Sequence, residues 1–137
     1  MIAQLEIATS SAAELVDITA EVQRTVRERE MQSGVCHVFV PHTTAGLTLN
    51  ENWDPSVRAD ILMELDKIVP LRDNYRHAVS ECGGNAAAHI KASLMGASQT
   101  ILVEDGRLVL GTWQGIYLAE FDGPRRRRVL VKLVVDD

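Results

Sequence analysis

The sequence predicts one compact α+β domain, a mixed or antiparallel β-sheet carrying about three helices. Strand-like and helix-like stretches are interspersed over the first two thirds of the chain, and the last third is strand and turn only. Strands gathered in one part of a chain suit an α+β layout better than a doubly wound parallel sheet. The chain has 137 residues, 46% of them hydrophobic, without repeat, linker or low-complexity tract. A chain of this length makes one domain that buries roughly two-thirds of its unfolded surface. Residues 1–137 are therefore read as a single domain.

Each element has its own signal. Residues 1–9 alternate loosely (Ile2, Leu5, Ile7) and predict a strand, and residues 14–18 a second one paired to it or to a neighbour. Thr19 is placed to cap a helix over residues 20–31, with Val22 and Val26 on one face and Gly34 as its stop. Residues 35–40 form an apolar run with side chains suited to both faces, which predicts a central strand, and 47–50 a short one. Asp54-Pro55 is a capping residue followed by proline at the first helical position. Val57, Ile61, Leu62 and Leu65 then make an apolar stripe that Pro70 closes. Residues 71–84 lack a period and read as a loop. Asn85 caps a third helix with Gly96 as its stop. Strands follow at 99–103, 107–110, 115–121 and 127–135, joined in part by Asp105-Gly106 and Asp122-Gly123-Pro124, turn sequences suited to tight hairpins.

Composition excludes several functions. A net charge of −5 argues against binding nucleic acid by phosphate neutralisation. No apolar run approaches the roughly 20 residues of a membrane span. The N-terminus MIAQLEIATSSAAE has no basic region followed by an apolar core, so no signal peptide is expected. Two cysteines, Cys36 and Cys82, without a CxxC pair, suit a reduced cytoplasmic protein with free thiols.

The chemistry is concentrated in a few stretches. PHTTAGLTLNEN, residues 41–52, follows an apolar strand with an imidazole, three hydroxyls, amides and a carboxylate, more than a turn needs. His37 has opposite parity to Cys36 and Val38 and reads as a hydrogen-bonded strand histidine. His42 lies past the strand end, His77 in the polar loop, and His89 one turn into the third helix. Three histidines so mounted can converge as the protein ligands of an open metal site, although their spacing alone is not diagnostic. Glu81 and Cys82 are possible additions, and a lone cysteine is more often a plain small residue.

Gly83-Gly84-Asn85 opens a helix whose N–H groups and dipole favour an anion such as phosphate, and Lys91 adds charge if it faces inward. The ordinary alternative is a glycine-rich entry to a capped helix, with the lysine in water. In GTWQGIYLAEFDGPR, Trp113 either packs over the core, the commoner role, or walls a planar ligand. Glu120 shares the parity of Ile116 and Leu118, so if that face is buried its carboxylate needs an arginine, a metal or a ligand. Arg125 to Arg128 alternate across a strand, so at most half of the run faces one site. There is no GxSxG context for a nucleophilic serine, and no CxxC for a zinc deaminase.

HTTAGLTLNEN, GNAAAHIKASLMG and LGTWQGIYLAEFDGPRRRR together resemble the YjbQ family, also called the secondary thiamine-phosphate synthase family. The likeness covers nearly the whole chain, with the blocks in the family's order. It implies a compact α+β domain assembling as a homotrimer, with polar motifs around a cleft that binds a divalent metal ion (zinc, magnesium or manganese). It implies joining a hydroxymethylpyrimidine pyrophosphate to a thiazole phosphate, giving thiamine phosphate and pyrophosphate. Carried over by position, His42, His77 and His89 are the metal ligands. Glu51 and Asn52 fall on the family's NEN element, and Trp113, Gln114, Glu120, Asp122 and Arg125 on its terminal block. Joined to the reading of the residues, this makes Glu51, Thr43, Thr44 and Glu120 the catalytic candidates, and Asn52, Gly83, Gly84, Asn85, Lys91, Trp113, Gln114 and Arg125 the candidates to hold a small phosphorylated metabolite. In that chemistry the work is largely stabilising charge on the departing pyrophosphate, for which a cation, a helix N-terminus and an arginine are suited. Two other classes stay open: a metal-dependent hydrolase of a small phosphorylated or acyl substrate, and a non-catalytic trimer that binds a metabolite.

Overall fold

The computed structural model describes residues 1–77 and 84–137. In chain order the elements are β1 (Ile2–Ala8), β2 (Glu14–Asp17), α1 (Thr19–Glu28), β3 (Gly34–Phe39), β4 (Ala45–Glu51), α2 (Pro55–Ile68), α3 (Ala86–Met95), β5 (Ser98–Glu104), β6 (Arg107–Leu108), β7 (Gln114–Glu120) and β8 (Arg126–Val135). They form a five-stranded sheet, ordered β1-β8-β3-β5-β6, and a three-stranded sheet, ordered β2-β7-β4. All pairings within both sheets are antiparallel. This is the α+β class the sequence predicts.

Layering follows from β7, whose sequence is apolar on both faces. Ile116 and Leu118 point into the main core with Cys36, Val38, Leu47, Val129 and Val131, between the two sheets. Tyr117, Ala119 and Phe121 point the other way, onto Ala88 and Ala92 of α3 and the half-buried Ile61, Leu62 and Leu65 of α2. The stack therefore runs five-stranded sheet, three-stranded sheet, helices. α1 adds Val22 and Val26 to the main core.

Several boundaries differ from the sequence reading for local reasons. Thr19 is not the cap of α1 but its first residue. Its hydroxyl accepts the Ile116 N–H at 2.8 Å and its own N–H donates to Asp17 Oδ1 at 2.9 Å, so the carboxylate two residues earlier does the capping. Gly34 opens β3 instead of ending α1. β4 runs seven residues because it pairs with β7 along its whole length. α2 starts as predicted, with Asp54 accepting the Ser56 N–H at 2.9 Å and Pro55 at the first position.

The last third is not a run of hairpins. Asp105-Gly106 does make one, both residues at positive φ (52° and 75°), between β5 and β6. Residues 122–124 instead carry the chain from β7 in one sheet to β8 in the other. A turn motif specifies a reversal, not the neighbour; β7 is drawn to the middle of the stack because both its faces must be buried. β3 is central in order, between β8 and β5, yet only one of its faces is buried. Its outer face carries Val35, His37 and Phe39, beside Leu102 of β5 and Val134 of β8. Phe39, Leu102, Val134 and Ile2 are exposed on this side.

Candidate functional site

The connection from β3 to β4 carries His42, Thr43 and Thr44, and its path is set by the end of α3. The Val40 N–H donates to Ala97 O at 2.8 Å, and the Leu47 N–H to Gly96 O at 3.0 Å. β4 passes so near that a Cβ on Gly46 would stand 2.6 Å from Gly96 O and 2.9 Å from Met95 Cβ. This close approach sets His42 and Thr43 opposite His89 and Ser93, across a hollow of about 510 Å³. A second hollow of about 420 Å³ is walled by His77, Ala86, His89 and Ile90, so His89 borders both. The His77 and His89 rings meet edge to face, centroids 5.5 Å apart.

Beneath the hollow lies a closed ionic network. Glu120 is fully buried and Arg127 nearly so. Arg127 grips the carboxylate with Nε (2.7 Å to Oε2) and Nη2, and Nη2 also donates to the Thr44 hydroxyl at 2.9 Å. The Thr9 hydroxyl and the Asp122 N–H, each at 2.9 Å, complete the shell of Glu120. Burial alone pushes the Glu120 carboxyl up, but the hydrogen bonds from Arg127, Asp122 and Thr9 outweigh it and hold it below the ordinary value. Glu120 thus points where its parity predicts and finds an arginine there. Arg127 is the residue the sequence reading passed over, although the alternation of the Arg125–Arg128 run marks it as the inward member.

That network acts on His42. Its Nε2 accepts the Arg128 N–H at 2.9 Å, which puts the ring proton on Nδ1. Burial, and then the charges of Arg127 and Arg128, lower its pKa below the ordinary histidine value. His42 is therefore held as a neutral imidazole whose one lone pair, on Nε2, is taken by the Arg128 N–H, leaving an Nδ1–H donor free.

A second chain of bonds orients His77. Asn85 has no capping bond to α3. Its Oδ1 accepts from His77 Nε2 at 2.9 Å, and its Nδ2 donates to Asp122 Oδ2 at 2.9 Å. Asp122 is held in turn by Arg125, through Nη2 at 3.1 Å and through Nε to the Asp122 carbonyl at 2.7 Å. The predicted cap is thus a bridge, because two better partners flank it. Gly84 before it has φ 75°, a conformation that favours glycine. The expectations for Glu81, Cys82 and Gly83 fall on residues outside those described.

The other expected site residues divide. Lys91 is neither in water nor a wall of either hollow. It is buried in an ion pair with Asp66 of α2, its Nζ 5.9 Å from the Phe121 ring centroid. His37, at the outer sheet face, sits 3.2 Å through Nδ1 from the Thr100 hydroxyl, as a strand histidine should. Glu51, Asn52, Trp113 and Gln114 lie at the far end of the three-stranded sheet, where Glu51 pairs with Gln114 while Ala45 pairs with Glu120. Six strand residues separate the two groups, about 20 Å at roughly 3.3 Å each. Trp113 is not core: it is 53% exposed and meets the exposed Trp53 edge-on, centroids 5.7 Å apart.

The three imidazoles share one side of the molecule, and His42 could ligate a divalent cation through Nε2 only by giving up the Arg128 N–H. Among the described residues, however, no group of three His, Cys, Asp or Glu side chains is already placed to hold one.

Residues 3–136 match the family model described as UPF0047 protein YjbQ-like. A UPF0047 protein of Methanocaldococcus jannaschii is 48% identical over 136 residues, 99% of this chain and 96% of that one. UPF0047 protein YugU of Bacillus subtilis is 47% identical over 135 residues, covering 98% and 99%. Among solved structures, a YjbQ/UPF0047-family protein of Clostridium acetobutylicum is 52% identical and superposes with a TM-score of 0.91 over 96% of this chain and 99% of that chain. A YbjQ-like protein of Sulfolobus solfataricus is 34% identical, with a TM-score of 0.92 over 99% and 97%.

Proposed function

The chain belongs to the UPF0047 YjbQ-like family, and on that premise we propose that it is a thiamine-phosphate-synthase-like transferase. It would join a hydroxymethylpyrimidine pyrophosphate to a thiazole phosphate and release pyrophosphate. The observation that supports this most is the clustering of His42, His89 and His77 around two adjoining hollows beside α3. In the reaction the bond from the pyrimidine methylene carbon to the pyrophosphate oxygen breaks, and the thiazole nitrogen bonds to that carbon. The electron pair leaves with pyrophosphate, so the barrier lies mainly in charge developing on its oxygens.

On this reading the departing anion rests at the start of α3, where the Asn85 side chain, turned to His77 and Asp122, leaves the first N–H groups of the helix uncapped by it. Thr43 donates a hydroxyl hydrogen bond from the opposite wall. His77 and His89, with His42 once its Nε2 is released from the Arg128 N–H, would hold a divalent cation, zinc, magnesium or manganese, which when bound neutralises phosphate charge. Glu120 serves through Arg127, keeping that charge beside His42, and does not itself reach substrate. Glu51, Asn52, Trp113 and Gln114 are too far along β4 to touch the same ligand within one chain, so a part for them needs a neighbouring copy in a homotrimer. Among the described residues no helix is long and apolar enough to cross a membrane, and we place the activity in the cytoplasm.

The test is incubation of purified protein with both substrates and each cation, following thiamine phosphate by chromatography and pyrophosphate release in parallel. His42→Ala and His89→Ala are expected to lose about 10²-fold or more of the rate, and His37→Ala, far from the hollow, none. Soluble protein that yields no thiamine phosphate rejects the proposal. Pyrophosphate without thiamine phosphate indicates a hydrolase.

A further inference from the structure

His42 lies where a strand gives out. β3 and β8 run antiparallel with Val38 facing Val131 and Phe39 facing Leu130, a register that would set residue 41 opposite Arg128. Residue 41 is a proline, and β3 ends at Phe39. The Arg128 N–H is taken instead by His42 Nε2, at 2.9 Å. One residue earlier on the same strand, Arg127 turns its side chain inward and donates through Nη2 to the Thr44 hydroxyl at 2.9 Å and the Thr44 carbonyl at 3.3 Å. The Phe121 N–H holds that carbonyl too, at 3.2 Å. Successive residues of β8 thus fasten the loop twice, His42 through a backbone group and Thr44 through a side chain. Thr44 is buried, and it is Thr43 and Ala45 on either side of it that line the hollow. His42 keeps one ring nitrogen for that hollow. Nδ1 has no partner among the described residues, yet it is not among their buried unpartnered atoms, so solvent reaches it.

We propose that His42 meets its ligand as a hydrogen-bond donor of fixed tautomer, its Nδ1–H held out to an oxyanion, with Thr44 and Arg127 as its positioning residues. The hydrogen bond made at one imidazole nitrogen decides where the single proton of the neutral ring resides. A ring that already accepts a backbone N–H carries its proton on the other nitrogen, and offers a ligand that donor alone. Such a donor has neither to move a proton nor to reorient as charge develops, which is what makes it effective beside a departing anion. The Thr43 hydroxyl, on the same wall, adds a second donor. The two neighbouring threonines therefore divide: Thr43 serves the ligand and Thr44 holds the loop. In this role His42 keeps Arg128 and leaves any cation to His77 and His89. That the anion is pyrophosphate rests on the transferase reading.

Nitrogen-15 NMR of the histidines in the whole protein, with zinc and pyrophosphate added separately and together, reads the tautomer directly. His42 is expected to keep its proton on Nδ1 throughout, with the Arg128 amide protected from exchange and the Nδ1 resonance moving with pyrophosphate. Zinc that shifts Nε2 and frees the Arg128 amide makes His42 a metal ligand and overturns the proposal. Calorimetric titration with pyrophosphate is the second arm. An asparagine amide falls near the place of Nδ1 and a glutamine amide near that of Nε2. His42→Asn is therefore expected to bind within about threefold of the parent, and His42→Gln at least about tenfold more weakly, as loss of one hydrogen bond to a charged group gives. Glutamine that binds as well as the parent overturns the donor role. Thr44→Val, which cannot accept from Arg127, should show His42 in both tautomers and weaken pyrophosphate, with Thr44→Ser restoring both readings. A lowered melting temperature in Thr44→Val with tautomer and affinity unchanged makes Thr44 structural only and overturns its part. Pyrophosphate held on Nδ1–H by a protein that forms no thiamine phosphate upholds the donor and rejects the transferase reading. Thiamine phosphate formed with His42 on zinc does the reverse.

Discussion

Removing one member of the Glu120–Arg127 pair strands the other where water cannot reach it. Glu120→Gln is therefore expected to cost about 3–5 kcal/mol in denaturant unfolding, whereas replacing both by apolar residues of similar volume should recover most of the loss. The doubly apolar protein should also show His42 titrating nearer its ordinary value by NMR, since Arg127 lowers its pKa. The pH dependence follows in sign. Folded His42 holds a proton less tightly than unfolded, so acidification protonates the unfolded chain first and stability is lost as the pH falls through 6.5 toward the folded value. Glu120, lowered from 4.5, adds a further loss in more acid solution, as the pH drops through its folded value. In His42→Gln the loss of stability that begins as the pH falls through 6.5 should be absent from the melting curves, leaving the more acid limb of Glu120. Asn85 separates two roles cleanly. Serine caps helices as well as asparagine does, so Asn85→Ser would be silent if capping mattered. Here it loses the bridge, and we expect lower stability with His77 released from Asp122. Strand parity exposed Glu120 and His37 to prediction, because alternation fixes a direction. Trp113 and Asn85 were not legible, since loop and cap residues choose partners that only the folded neighbourhood supplies.

The end of α3 and the start of β4 form the hinge on which the hollow depends. Gly46→Ala would drive a methyl group into Gly96 O and Met95 Cβ, both of them fixed by helix and strand. Overpacking of this kind typically costs about 1–3 kcal/mol, and here it also pushes His89 away from His42. The expected result, in urea unfolding and in the transferase assay together, is a modest stability loss with a disproportionate loss of rate. Nothing in the sequence marks Gly46 for this role, because close approach of two backbones leaves no local trace. α2 was legible for the opposite reason: Asp54-Pro55 encodes its own start within three residues. β6, β7 and β8 were found as strands but not placed, since the choice between two sheets depends on which faces must be buried.

Considered as a whole, the stack covers the five-stranded sheet on one side only. Phe39, Leu102, Val134 and Ile2 stand exposed on the other, and no described element packs over them. Such a face, on a chain whose two motif-rich ends lie about 20 Å apart by strand rise, is what a ring of three copies would use. Sedimentation equilibrium is expected to return three times the 15.1 kDa chain mass, and Phe39→Glu with Leu102→Glu to return folded monomer. A monomer for the unaltered chain rejects the assembly. If a site combines the histidine hollow of one copy with the Glu51 and Trp113 corner of the next, two inactive variants should rescue each other. In trimers formed from equal amounts of His89→Ala and Glu51→Gln, a head-to-tail interface pairs an intact hollow with an intact corner at roughly a quarter of the sites. Recovery of about that share of the parental rate places the site between copies. Two separately inactive variants that stay inactive when mixed, in trimers shown by mass to be hybrid, confine the chemistry to one chain and leave the Trp113 corner outside it.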